Sequence, residues 1–208
     1  MGRGTEEHAS PVRHREGPTT PKRAQVQAAV LDATERLLGE GATYAELDVG
    51  RIATAAGISR TAFYFYFSDK RDLLMRLAGD VSGLLYEQAD IWFSGDGEPR
   101  DEISEALARI SELYDEHAVL LRAIVEVSTY DEEIARFWRG LLARFVEATQ
   151  RRIDAEGNAS GPARATAFAL VWMTERTLYQ QLVQEEPVPG DEIVEALTGI
   201  FLRSVYGR

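Results

Sequence analysis

The sequence predicts an all-α chain, with a three-helix head, a connecting helix and a larger helical body, about nine helices in total. Three observations carry this expectation. Apolar residues recur at three- and four-residue spacing, as in Val26, Val30, Ala33, Leu37 and Leu38. Glycine and proline clusters punctuate the periodic stretches, as in Gly95-Asp-Gly-Glu-Pro99 and Pro187-Val-Pro189-Gly190. No segment of convincing length alternates as a half-buried strand does, and there is no internal repeat.

Residues 1–20 hold Gly2, Gly4, Pro11, Gly17 and Pro18 without periodicity and read as a disordered tail. Pro21 suits a first helical turn, with Thr20 as its cap. That helix runs to about Leu38, where Gly39 and Gly41 end it. A short helix follows from Leu47 to Ala56, with Ile52, Ala53 and Ala56 inward. Gly57 accepts the left-handed conformation that closes a helix. Ser59 is placed to cap a third helix through Phe67. Ser68 is placed to cap a fourth, whose apolar stripe is Leu73, Leu74, Leu77, Val81, Leu84 and Leu85. Beyond the break at 95–99, helical patterns cover 101–116, 118–128, 131–156, 162–185 and 190–206.

Charge is divided unevenly. The formal net charge is −11, yet residues 1–75 hold ten basic and ten acidic side chains. The excess acid lies wholly in the last two-thirds, which would hold an acidic body away from phosphates. The chain has no cysteine, which excludes disulfides, thiolate metal sites and cysteine nucleophiles. No apolar run approaches the roughly 20 residues of a membrane span. The polar N-terminus is not a secretory signal, so a cytoplasmic location is expected.

Leu47 to Phe67 has the composition of a helix-turn-helix. Small residues are needed where two helices cross, and Ala53, Ala55 and Ala56 supply them. A tight turn falls at Gly57, and Ile58 can pin both helices. The second helix must then offer short side chains at its start, because that end enters the major groove of double-stranded DNA. Ser59, Arg60, Thr61 and Ala62 are of that kind. Arg60 can donate two hydrogen bonds to guanine, and Thr61 can meet a base edge or a thymine methyl. In Phe63-Tyr-Phe-Tyr-Phe67 the two outer rings lie four apart and face a core, while Tyr64 and Tyr66 can reach phosphate. Lys70 is a further candidate phosphate contact. Residues 21–67 are thus expected to form a DNA-binding domain, followed over 68–208 by a connecting helix and a larger helical body.

The run Ile52-Ala-Thr-Ala-Ala-Gly-Ile-Ser-Arg-Thr-Ala-Phe-Tyr-Phe-Tyr-Phe-Ser-Asp-Lys70, with Leu73 and Leu74, resembles the head of the TetR family of bacterial regulators over about residues 24–75. The resemblance implies a homodimer on a palindromic operator, and a body that binds a small molecule and alters the spacing of the heads. It covers the body as well. Ile153-Asp-Ala-Glu156, Thr174-Glu-Arg-Thr-Leu178, Glu185-Glu-Pro187 and Ser204-Val-Tyr-Gly207 resemble a branch of that family with a narrow, largely hydrophobic channel. The chain departs from that branch at Val171 and Thr174, where asparagine amides are expected.

The body carries large rings on two helices. Phe168, Trp172, Glu175 and Tyr179 follow 4-3-4 spacing on one, and Trp138, Leu141, Leu142, Phe145 and Thr149 share a face of another. Such stripes form solid core or line an apolar cavity. Trp92, Tyr114, Trp138, Leu142, Phe145, Phe168, Trp172, Thr174, Glu175 and Tyr179 are the candidates to hold a small hydrophobic ligand. Leu178, Leu182, Val183, Ile193, Val194, Leu197, Ile200, Phe201 and Val205 are the candidates for a two-fold interface. Two other readings stay open: a DNA-binding dimer without ligand response, and an enzyme. The second finds little to stand on. His8 and His14 lie in the tail, His117 stands alone in the body, and no Gly-x-Ser-x-Gly or phosphate loop is present. No catalytic residue, metal site or cofactor is expected.

Overall fold

The computed structural model describes residues 21–157, 161–184 and 188–207. The expected tail, the Thr20 cap and Pro187 lie outside the described residues. Those residues form nine α-helices and no strand.

The head comprises α1 (Pro21–Gly39), α2 (Val49–Ala55) and α3 (Arg60–Phe63). Asp48 starts α2 by accepting the Arg51 N–H at 3.0 Å, two residues later than the expected start, and Leu47 is a buried loop anchor instead. Ser59 caps α3 as expected, accepting from Ala62 N at 3.0 Å. The helix α3 is much shorter than the expected span through Phe67. After Phe63 the chain tightens into turns, with Phe65 N bonding Ala62 O and Tyr66 N bonding Phe63 O. Consecutive rings lose side-chain freedom in a regular helix. Here the turns let Phe63 and Phe67 both enter the core, with ring centroids 5.3 Å apart.

The long helix α4 (Lys70–Phe93) leaves the head and enters the body. Its cap is Asp69 rather than Ser68. Asp69 Oδ1 accepts from Asp72 N at 2.8 Å, while Ser68 N and Oγ both donate back to Asp72. This reciprocal arrangement satisfies more of the first-turn donors than one serine cap.

The body adds α5 (Pro99–Glu116), α6 (Ala118–Ser128), α7 (Glu132–Glu156), α8 (Ala163–Leu178) and α9 (Gly190–Phe201). The last two each end in a π-helical turn, over Tyr179–Val183 and Leu202–Tyr206. Helix α4 lies between α5 and α7, α8 covers α7, and α9 covers α5. Helix α6 touches α1, α4 and α7 and so bridges head and body. His117, at the α5–α6 junction, places Nδ1 3.5 Å from Glu35 of α1.

One apolar core runs without a break from Val30, Phe63 and Leu73 in the head to Ile124, Trp138 and Leu178 in the body. A second cluster, with Trp92, Leu107, Ile153 and Phe201, fills the far end. These clusters overturn most of the expected interface set. Leu178, Val183, Leu197, Phe201 and Val205 are buried within the one chain. Leu182, Ile193, Val194 and Ile200 are partly buried against the same clusters. Helices α8 and α9 carry apolar residues on more than one face, and periodicity alone does not say which face the chain covers itself. No helix among the described residues is long and apolar enough to cross a membrane.

Candidate functional site

Two features stand out: the exposed tip of the head and a cavity in the body. At the tip, Gly57 takes φ +72°, and Ile58 N bonds Ala53 O at 2.9 Å. That left-handed turn reverses the chain and sets the α3 start outward. Ser59, Arg60 and Thr61 are exposed there, and Ala62 is partly buried. The Ser59 oxygen is occupied as a cap acceptor, but its hydroxyl can still donate. Tyr64 is 48% exposed and Phe65 73%. Phe65 was absent from the expected contacts; its place between two tyrosines in the aromatic run was the available signal. Tyr66 is partly buried, with the Arg23 guanidinium 5.6 Å from its ring centroid.

Lys70 does not point outward as expected. Its Nζ donates to three backbone carbonyls, Tyr44 at 2.7 Å, Leu47 at 2.9 Å and Ala45 at 3.2 Å. An ammonium has three donors, so none is left for a phosphate. The Tyr44 hydroxyl in turn donates to the Lys70 carbonyl. Lys70 therefore ties α4 to the α1–α2 loop. Partial burial pulls its ammonium below the ordinary lysine range, with Asp48 acting in the other direction.

A cavity of about 80 Å³ lies among α4, α5, α7, α8 and α9. Helix α4 contributes Ser82, Leu85, Ala89, Trp92 and Phe93; α5 contributes Ile103, Leu107, Ile110 and Tyr114. Across from them lie Trp138, Leu141, Leu142, Phe145 and Thr149 of α7, Val171, Thr174 and Glu175 of α8, and Phe201 of α9. The lining is almost wholly apolar. The Thr174 hydroxyl donates to its own helix, to Leu170 O at 2.9 Å. Ser82 Oγ is buried without a hydrogen-bond partner among the described residues.

Glu175 is the exception in that lining. It is 3% exposed, and neither carboxylate oxygen has a hydrogen-bond partner among the described residues. Arg176 Nε lies 3.7 Å from Oε2, beyond hydrogen-bond length. Burial pushes the Glu175 carboxyl above the ordinary carboxylate range, with Arg176 pulling the other way. Burial, with the neighbouring charge of Glu175, also pushes the Tyr114 hydroxyl well up.

Comparison with known proteins bears on both features. Residues 30–77 match the model of the bacterial regulatory proteins of the TetR family. Residues 103–207 match the C-terminal domain of the transcriptional regulator EthR. The HTH-type transcriptional regulator EthR of Mycolicibacterium smegmatis is 34% identical over 192 residues, covering 87% of this chain and 86% of that protein. EthR of Mycobacterium tuberculosis is 32% identical over 194 residues, covering 88% of each. This chain belongs to the TetR family. It is a DNA-binding transcriptional regulator with an EthR-type C-terminal domain, and its named relatives are regulators rather than enzymes. Its fold is shared with NalD, the secondary repressor of a multidrug efflux pump in Pseudomonas aeruginosa, at TM-score 0.68 and 17% identity over 88% of this chain and 97% of that one. The fatty acid degradation regulator FadR of Bacillus halodurans gives TM-score 0.66 at 15% identity, over 89% and 97%.

Within this TetR-family body, Trp92, Tyr114, Trp138, Leu142, Phe145, Thr174 and Glu175 line the cavity. Phe168, Trp172 and Tyr179 do not. Phe168 is 56% exposed on the outer side of α8, its ring 6.0 Å from that of Trp172. Tyr179 is buried in the π-helical turn, under the Arg176 guanidinium and bonded by Gln184. The expected aromatic face of α8 was rotated from the true one, which is centred on Val171, Thr174 and Glu175. The α5 row Ile103, Leu107, Ile110 and Tyr114 was missed apart from Tyr114. Its 4-3-4 spacing was the available signal, but branched aliphatic residues look the same in a cavity wall as in a core.

Proposed function

We propose that this regulator is a repressor that binds a palindromic operator as a homodimer and is released by a small hydrophobic ligand. One observation carries the reading: α4 begins at the base of the DNA head and supplies five residues to the cavity wall. Residues 21–67 serve as the DNA-binding domain and 68–208 as the connecting helix with the ligand and dimer domain. Ser59, Arg60, Thr61 and Ala62 meet base edges, while Tyr64 and Tyr66 meet phosphate. Phe65 adds an exposed apolar contact beside them.

The outer side of α8 supports the dimer. Phe168 and Ala169 are exposed beside Trp172 and Met173, and Ala196 is exposed on neighbouring α9. Large rings with small residues between them suit close packing against a symmetry mate. Two heads about 34 Å apart, or a suitable multiple, reach successive half-sites. A ligand shifts this arrangement only if it favours one head spacing over another. Cytoplasmic placement follows from the partner, which is chromosomal DNA.

The test is a screen of apolar compounds by thermal shift, paired with operator binding on fragments selected from the host genome. A saturable rise in melting temperature, matched by loss of operator affinity, supports the reading. Compounds that stabilise the protein and leave operator affinity unchanged refute the release mechanism.

A further inference from the structure

The cavity holds one carboxylate, and the fold leaves it without a hydrogen bond. Glu175 lies on the cavity side of α8 with both oxygens buried and unbonded among the described residues. Its only ion-pair neighbour among the described residues is Arg176, at 3.7 Å and next in sequence. Adjacent helical residues diverge, and the Arg176 side chain is 51% exposed with its guanidinium over the Tyr179 ring, 5.0 Å from the centroid. No lysine, arginine or histidine among the described residues lines the cavity. A carboxylate excluded from water and given no donor is a costly arrangement, and such groups cluster at functional sites.

Tyr114, whose hydroxyl feels the charge of Glu175, and Trp138 belong to the core that runs up from the head, while Trp92, Ile103 and Phe201 belong to the cluster at the far end. The carboxylate thus lies toward the head, and an apolar, ring-lined stretch leads away from it. Ser82 also lines the cavity, its Oγ buried and unbonded among the described residues.

We propose that the cavity selects amphiphilic amines, with a protonated nitrogen bound at Glu175 and the apolar body lying toward Trp92 and Phe201. The ammonium supplies the donors that both carboxylate oxygens lack, and Ser82 Oγ and the Tyr114 hydroxyl offer further acceptors. A fatty acid would place a second carboxylate against the first, and a neutral alcohol would leave the charge uncompensated. This inference rests on the cavity being the ligand site proposed above.

A matched series tests it on the full chain: 4-phenylbutylamine, 4-phenylbutanol, 4-phenylbutyramide and 4-phenylbutyrate, measured by calorimetric titration. The amine is expected to bind at least about tenfold tighter than the alcohol, with the butyrate weakest. Glu175→Gln should bring amine and alcohol within about twofold of each other while alcohol binding persists. Leu142→Trp, which puts a bulky ring into the cavity and leaves Glu175 unsubstituted, should abolish all of it. Equal binding of amine and alcohol, or an amine preference that survives Glu175→Gln, overturns the proposal and leaves the cavity as a ligand site. Tightest binding by the amide also overturns it, since it marks a protonated Glu175 donating to a carbonyl. Amine binding that survives Leu142→Trp places the amine elsewhere and overturns it too. No binding by any compound overturns both this proposal and the ligand-site reading.

Discussion

Tyr44 and Lys70 exchange hydrogen bonds: the Tyr44 hydroxyl donates to the Lys70 carbonyl, and the Lys70 ammonium donates to the Tyr44 carbonyl at 2.7 Å. The pair joins the loop before α2 to the first residue of α4. It holds the recognition tip at a set angle to the helix that leads to the cavity.

Lys70→Met should therefore act on folding before it acts on DNA. It leaves three carbonyls without their donor and is expected to cost about 1–3 kcal/mol. Urea denaturation measures this. An unchanged unfolding midpoint, with a salt slope of DNA binding reduced by about one, would return Lys70 to phosphate duty.

Arg60→Ala and Tyr64→Phe should separate base reading from backbone contact. The arginine change is expected to lose about 1–3 kcal/mol on the operator and to relax preference at one base position. The tyrosine change should weaken operator and random duplexes alike. Equal losses on both duplexes for Arg60→Ala would remove its base-reading role.

Arg71 joins α4 to the start of α7. Its Nε lies 2.7 Å from Asp131 and its Nη1 2.8 Å from Glu133. Burial acts against the ionised Asp131 carboxyl, yet the Ile134 N–H and the Arg71 guanidinium together hold it below the ordinary range. The Arg71 side chain is 43% exposed, so the stability lost in Arg71→Ala should be small. The expected effect is on coupling: a saturating ligand should weaken operator binding less than in the unmodified protein. Operator titrations with and without ligand measure it, and an unchanged ratio would show that the clamp carries no signal.

Glu175 should give the free protein a pH signature. Its carboxyl rises above the ordinary 4.5 on folding, chiefly through burial. The folded state thus holds this proton more tightly than the unfolded chain. Its contribution is fully present below 4.5 and is lost as pH rises from there through the raised folded value. Tyr114 on α5 titrates far above this window, and the other charged group beside Glu175 is the Arg176 guanidinium. Glu175→Met should flatten that slope and stabilise the protein at pH 7 by about 1–3 kcal/mol. Denaturation curves at pH 5 and pH 7 decide it; an unaltered slope would show that Glu175 is ionised and solvated in the free protein.

Much of the head was legible because its signals are local. Ser59 caps a helix through its own third neighbour, and Gly57 must supply a positive φ wherever the chain turns that tightly. Phe63 and Phe67 lie four apart and meet in one core. The body was legible as helices, and the α7 face from Trp138 to Thr149 was legible too, but the α8 face was not. Phe168 and Val171 are both apolar and three residues apart on α8, yet one is exposed and the other lines the cavity.

Amino-acid order alone settled the number of helices, the turn at Gly57 and the outward tip at Ser59, Arg60 and Thr61, since each depends on residues a few positions apart. Tertiary structure decided that Lys70 spends its charge on three carbonyls, that Leu178 and Phe201 fill the chain's own core, and that Glu175 faces an apolar cavity. These depend on how far each helix rotates about its axis when packed, and that rotation minimises exposed apolar area over the whole chain rather than over any one segment.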